Sequence, residues 1–177
     1  MTPEFSRPVR LDAIGTTPRR ETLTADEGER AALARRFALL ALGRLEAEAT
    51  VARDGDAISV TGRLRAAVEQ SCVATGVPVP AVIDEPFALL YRPEPAAGDD
   101  EEIELDEREL DVVFHDGQAI DLGEAAAETL ALALDPWPRA PGAEAALREA
   151  GVKGEEDRES EAGPFGALAA LKDKLQS

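Results

Sequence analysis

The chain has one cysteine, Cys72, in the stretch SCVATGVPV, and one histidine, His115, in VFHDGQ. A thiolate and an imidazole can serve as nucleophile and base, or as two ligands of a metal ion. Three residues after Cys72, where a Cys-x-x-Cys knuckle would place its second sulfur, stands Thr75. A dithiol redox centre needs two cysteines and is excluded. Structural zinc takes four nitrogen or sulfur ligands and catalytic zinc usually three, so one Cys and one His would need carboxylates to complete a site. A small buried thiol at a strand end is the commoner arrangement. A cysteine-dependent enzyme with His115 as base is the one catalytic alternative left, and nothing positive supports it. With 36 acids in the chain, two carboxylates close in sequence carry no information. There is no Gly-x-x-x-x-Gly-Lys-Ser/Thr phosphate loop and no Gly-x-Ser-x-Gly elbow. The expectation is a protein that is not an enzyme and has neither a cofactor nor a metal.

Charge is the stronger signal. The net charge is −17 over 177 residues, and it is concentrated. Residues 1–93 hold 12 arginines against 13 acids, whereas residues 94–135 hold 15 acids against the single Arg108. The densest part contains Asp99, Asp100, Glu101, Glu102 and Glu104. A field of that sign repels the phosphates of RNA and DNA and attracts basic partners. The opposite charge worth noting is the pair Arg63 and Arg65, which alternation places on the outer face of a strand, where phosphate could reach them. No apolar run reaches the roughly 18 residues of a membrane-spanning helix. The opening MTPEFSRPVRLDAIG lacks the basic-then-apolar plan of a signal peptide. One cysteine fits a reducing compartment. A soluble cytoplasmic protein that does not engage membranes or DNA is expected.

The elements that must position these residues follow from periodicity. Residues 5–14 alternate as a first strand, at an edge because Pro8 cannot donate a ladder hydrogen bond. The segment from Thr16 to Leu39 then reads as helical, with Thr24 and Glu27 as a capping box and Leu33, Phe37 and Leu40 at core spacing. A long hairpin follows, with one arm over LGRLEAEATVAR, a turn at Gly55, and a second arm AISVTGRLRAAVEQS. In that arm Ile58, Val60, Leu64, Ala66 and Val68 face inward. Two further strands are expected around Val77–Ile83 and Phe87–Tyr91, then a loop through the acidic run, then a short strand through Val112 and Phe114. A helix capped by Asp121 buries Leu122, Ala126, Leu130 and Leu134. Prolines in DPWPRAPG end it. Residues 140–163 read as loosely ordered. The end, GPFGALAALKDKL, reads as a short amphipathic helix with Phe165, Leu168 and Leu171 on one side, a stripe that docks on its own domain or on a partner. The fold class is α+β: a single domain whose twisted antiparallel sheet of five to seven strands, with partial closure into a barrel as an option, is covered by two or three helices. The domain spans 1–139, with a tail over 140–177.

The strand ending in VEQSCVATGVPVPAVIDEPFALLYRP, the acidic loop, IDLGEAAAETLALALDPWPRAP and GPFGALAALKDKL follow one another in an order that resembles the YceD family, the large ribosomal RNA subunit accumulation proteins. The resemblance covers most of residues 58–175. It implies a non-catalytic factor in 23S ribosomal RNA accumulation and large-subunit biogenesis in bacteria. It also implies family-motif positions at Cys72, Thr75, Asp121 and Leu122. Many members carry Cys-x-x-Cys where this chain has Cys72 and Thr75, and further Cys or His where it reads PWPRAPGA, so SCVATG resembles the vestige of a metal site. Two mechanisms are compatible with that role. In one, the acidic stretch holds a basic large-subunit ribosomal protein. In the other, the face bearing Arg63 and Arg65 binds 23S ribosomal RNA.

Overall fold

The computed structural model describes residues 3–94, 111–115 and 117–152. The chain forms two compact units, Met1–Gln70 with Pro80–Pro136, and Ser71–Val79 with the chain from Trp137 onward. Along the described chain run β1 (Pro8–Arg10), β2 (Arg19–Thr24), α1 (Glu27–Arg36), β3 (Ala41–Asp54), β4 (Ala57–Ser71), β5 (Pro78–Pro93), β6 (Asp111–His115), β7 (Ala119–Asp121), α2 (Leu122–Ala133) and α3 (Ala143–Glu149). The fold is α+β, as expected. Its main sheet has the order β2-β3-β4-β5-β6, and β1 pairs with β7 in a separate two-stranded ribbon. The main sheet is open, with β2 and β6 as its edges, so no barrel closes.

The β3–β4 hairpin is the spine, paired from Ala41↔Glu69 to Asp54↔Ala57 with one bulge between Leu42 and Arg44. Alternation sorts its two faces. Leu45, Ala47, Ala49 and Val51 of β3 and Ile58, Val60, Leu64, Ala66 and Val68 of β4 are all buried. They join Leu33 of α1 and Leu122, Ala126 and Leu130 of α2 in one apolar cluster. Each of the Leu, Ile and Val side chains, fully buried, contributes about 1.5–3 kcal/mol. One inward position of β4 is a glycine for a packing reason. A Cβ on Gly62 would lie 2.4 Å from the Glu48 carbonyl oxygen and 2.5 Å from Cζ of Phe87, whose ring occupies that space.

Several elements differ from their sequence reading, each for a local reason. Thr24 cannot cap α1 because it is still in the β2–β3 ladder, opposite Glu46. The capping box is two residues later, with Asp26 accepting from the Glu29 amide and Glu29 accepting from the Asp26 amide, both at 2.8 Å. Arg19–Thr24, read from the sequence as part of the helix, is strand β2. Helix α1 ends in a Schellman closure: the amide of Leu39 donates to the Ala34 carbonyl and that of Ala38 to Arg35. Ala38 takes the left-handed conformation, with φ 53°. The helix therefore stops short of Leu40, which is 51% exposed and not in the core.

The first strand shortens to Pro8–Arg10, followed by a single 3-10 turn. The two strands expected around Asp84-Glu85-Pro86 are one continuous β5. Its pairing with β6 covers only Leu89–Pro93, so Pro78, Pro80 and Pro86 lie where no described strand needs a donor on that side. β6 runs parallel to β5, against the antiparallel expectation. The region from 140 is not wholly loose, since α3 occupies Ala143–Glu149. The acidic run and the terminal amphipathic segment lie outside the described residues. Among the described residues no helix is long and apolar enough to cross a membrane.

Gly62→Ala is expected to lower the unfolding free energy by about 1–3 kcal/mol in urea denaturation. An unchanged midpoint would show that Phe87 does not fill the position.

Candidate functional site

The described site residues fall into three groups. The first is built on Asp121, the last residue of β7 and the N-cap of α2. Its Oδ1 accepts from the amides of Gly123 at 2.9 Å and Glu124 at 3.2 Å, which satisfies two otherwise free donors at the helix start. The same oxygen accepts from the amide of Arg7 at 2.7 Å, and Oδ2 accepts from the Ser6 hydroxyl at 2.5 Å. One carboxylate thus fixes a helix start and a chain segment more than a hundred residues away in sequence. Leu122 is 2% exposed and belongs to the core. At Gly123 a Cβ would lie 2.4 Å from the Phe5 carbonyl oxygen, so only glycine lets the N-terminal segment approach α2 this closely.

Arg7 carries the link onward. Its guanidinium donates to both oxygens of Glu29, at 2.7 and 2.9 Å, and to the Thr24 carbonyl at 3.1 Å. The Arg7 hydrogen bond holds the Glu29 carboxyl below its usual range, with burial opposing and the Asp26 amide assisting. Arg36 of α1 meets Glu124 of α2 at 2.6 Å and Glu4 at 3.1 Å. Asp121 and Leu122 therefore act in the architecture. Sequence reasoning found the cap but missed Ser6, Arg7 and Glu29, because no local spacing brings them together.

The second group is the turn after β4. The Cys72 amide donates to the Val77 carbonyl at 2.9 Å, and that of Gly76, with φ 73°, donates to the Cys72 carbonyl at 2.8 Å. Cys72 is 3% exposed. Its sulfur accepts from the Ala140 amide at 3.3 Å, while the Val73 amide donates to the Pro138 carbonyl at 2.9 Å. PWPRAPGA, where the resemblance puts further ligands, thus meets this turn through backbone groups. The Ala140 amide and then the Thr75 hydroxyl pull the thiol down to about 7 against the effect of burial. The Thr75 hydroxyl bonds the sulfur. His115 accepts the Gly117 amide on Nδ1 at 3.1 Å. Among the described residues no cluster of three or more His, Cys, Asp or Glu side chains could hold a metal ion.

The third group is charge. On the outer sheet face Arg63 stands opposite Glu48 and Arg65 opposite Glu46 in the β3–β4 register. Arg63 meets Asp84 at 2.5 Å, and Arg65 lies 3.8 Å from both Glu48 and Asp84. These arginines are matched by carboxylates on their own sheet, which leaves little excess charge for phosphate. Asp99, Asp100, Glu101, Glu102 and Glu104 lie outside the described residues, as do Phe165, Leu168 and Leu171. Of the described acids in 94–135, Asp121 and Glu124 are engaged as above. Glu128 of α2 faces the sheet edge near Tyr91, whose hydroxyl is pushed up to about 12, first by burial and then by the charge of Glu128.

Asp121→Ala is expected to cost about 2 kcal/mol of unfolding free energy, at the upper end for a helix cap because the contacts to Ser6 and Arg7 go with it. A loss no larger than that of Ser6→Ala would show that the carboxylate is dispensable. For Cys72, absorbance of the thiolate near 240 nm is expected to reach half its rise near pH 7, with slow alkylation of the folded protein. The folded pKa lies below the unfolded value of 9.0, so the unfolded state binds more protons between those values. The stabilisation is present above pH 9 and is lost as pH falls through about 7. Cys72→Ala should remove that slope in denaturation measured across the same window.

A family model described as large ribosomal RNA subunit accumulation protein YceD matches residues 60–172. No curated protein and no solved structure matches the chain. The matched region runs from β4 through the Cys72 turn, the acidic run and the Asp121 cap. It covers more than half of the sequence, and the chain belongs to the YceD family, whose description assigns it a role in accumulation of large-subunit ribosomal RNA.

Proposed function

We propose that this protein supports accumulation of 23S ribosomal RNA, and with it biogenesis of the large subunit, by holding a basic ribosomal protein on its acidic region until that protein meets RNA. The observation that carries the reading is the charge map. Residues 94–135 hold 15 acids and one arginine, in a chain whose first 93 residues are nearly neutral. A basic ribosomal protein is shaped for a polyanion, and a dense carboxylate segment offers it the same sign of field that RNA does. The role is one of binding, without catalysis, and fits a cytoplasmic protein. The segment leaves β5 at Pro93 and returns at Asp111, level with Leu89 on the neighbouring strand. It is therefore fixed to the sheet at both ends, where a partner contact would not need to disturb the core. Direct RNA binding through Arg63 and Arg65 is the weaker reading, because carboxylates of β3 and β5 already oppose both side chains.

The test is affinity capture from lysate at moderate salt, with and without ribonuclease. A basic large-subunit protein is expected to stay bound after digestion. The joint variant Asp99→Asn, Asp100→Asn, Glu101→Gln, Glu102→Gln is expected to lose it while unfolding at the same denaturant midpoint. Recovery of 23S precursor RNA, with proteins that leave when it is digested, would overturn the reading.

A further inference from the structure

A groove of about 590 Å³ lies along the sheet edge, between β5 and β6 on one side and α2 on the other. Its apolar lining includes Phe87, Leu89, Val113 and Leu132, and its charged residues are Glu85, Asp111 and Glu128; among the described residues no cation lines it. The helix wall is a stripe, since Ala125, Glu128, Thr129, Leu132 and Ala133 recur at steps of three and four. That stripe adjoins the core-facing one of Leu122, Ala126 and Leu130: Ala125 is buried in the core and Ala133 packs against it, while Glu128 and Leu132 face outward. Leu132 is 82% exposed on it. On β5, Glu85 shares the parity of Ile83, Phe87 and Leu89, so a carboxylate stands on the apolar side of an alternating strand. None of the three carboxylates has an ion pair among the described residues, whereas Glu124, one turn before Glu128, is held by Arg36.

We propose that this groove seats a basic amphipathic segment of a partner polypeptide, its apolar side chains against Phe87, Val113 and Leu132 and its Lys or Arg side chains on Glu85, Asp111 and Glu128. The inference rests on the proposed function, in that the partner is basic, and it adds a site where specificity arises. Unpaired carboxylates around an apolar floor repel nucleic acid and anionic lipid and leave a cationic amphipathic chain as the complementary occupant. The floor selects for apolar residues that a purely electrostatic contact with the acidic segment would ignore. Asp111 closes that segment, so the two contacts adjoin.

The experiment uses the full chain with three fluorescein-labelled synthetic peptides: an amphipathic Leu/Lys helix, a Ser/Lys peptide of the same charge, and a Leu/Glu peptide. By anisotropy at physiological salt, the Leu/Lys peptide is expected to bind at least tenfold more tightly than either of the others. Leu132→Ser should weaken it about tenfold, as expected for one buried leucine, and Glu128→Gln should flatten its salt dependence. Amide shifts should map to residues 84–89 and to α2. Because Leu132 is exposed, its variant should keep the wild-type unfolding midpoint. Wild-type affinity in both Leu132→Ser and Glu128→Gln would overturn the groove, as would equal binding of the Leu/Glu peptide. If the four-site acidic variant alone loses the Leu/Lys peptide, the groove fails while the escort reading stands. If the Leu/Lys peptide does not bind and ribonuclease also empties the capture, both fail.

Discussion

The carboxylate of Asp121 is the constraint on which the rest of the larger unit depends. Four donors converge on it: two amides at the start of α2, the amide of Arg7 and the hydroxyl of Ser6. An N-terminal segment of a few residues could not otherwise hold its place, since ordering a residue's backbone costs about 1–2 kcal/mol. Once it is held, Phe5 is fully buried, β1 pairs with β7, and Arg7 reaches Glu29. Glu29 in turn closes the capping box of α1. The two helices that cover the sheet are thereby linked at their N-termini through a chain of charge-assisted hydrogen bonds, which are stronger than neutral ones. Gly123 completes the arrangement by letting the Phe5 backbone approach where any Cβ would collide.

How much of this is legible in the sequence follows the range of the interaction. The β3–β4 hairpin reads directly, because strict alternation from Ile58 to Val68 and a glycine turn are local signals. The Asp121 cap reads for the same reason. What escapes is set at distance or by competition. Thr24 has the side chain of a cap, but β-ladder pairing opposite Glu46 claims it first. Ala38 ends α1 in a conformation that glycine normally takes, so the sequence carries no stop signal there. Pro86 looks like a break, yet β5 runs through it because its outer flank has no described partner until Leu89.

The candidate site divides in the same way. The acidic stretch is visible as composition, and the neutralised state of Arg63 and Arg65 only as register. Glu85 was within reach: it is a carboxylate on the apolar parity of a strand, a mismatch that often marks a position facing something other than core. The Cys72 turn had its shape in sequence, with Gly76 where the backbone needs it. The sulfur's acceptance of the Ala140 amide came only from the fold.

The parallel pairing of β5 with β6 bears on how this family can diversify. A parallel neighbour requires a return connection, and here that connection is the acidic run. A connection anchored at both ends tolerates added length cheaply, since each doubling of length costs only about 0.6 kcal/mol in closure entropy. Length and charge in this stretch can therefore drift with little effect on the sheet. Mutation can retune what the protein holds while leaving intact the scaffold that lets it fold.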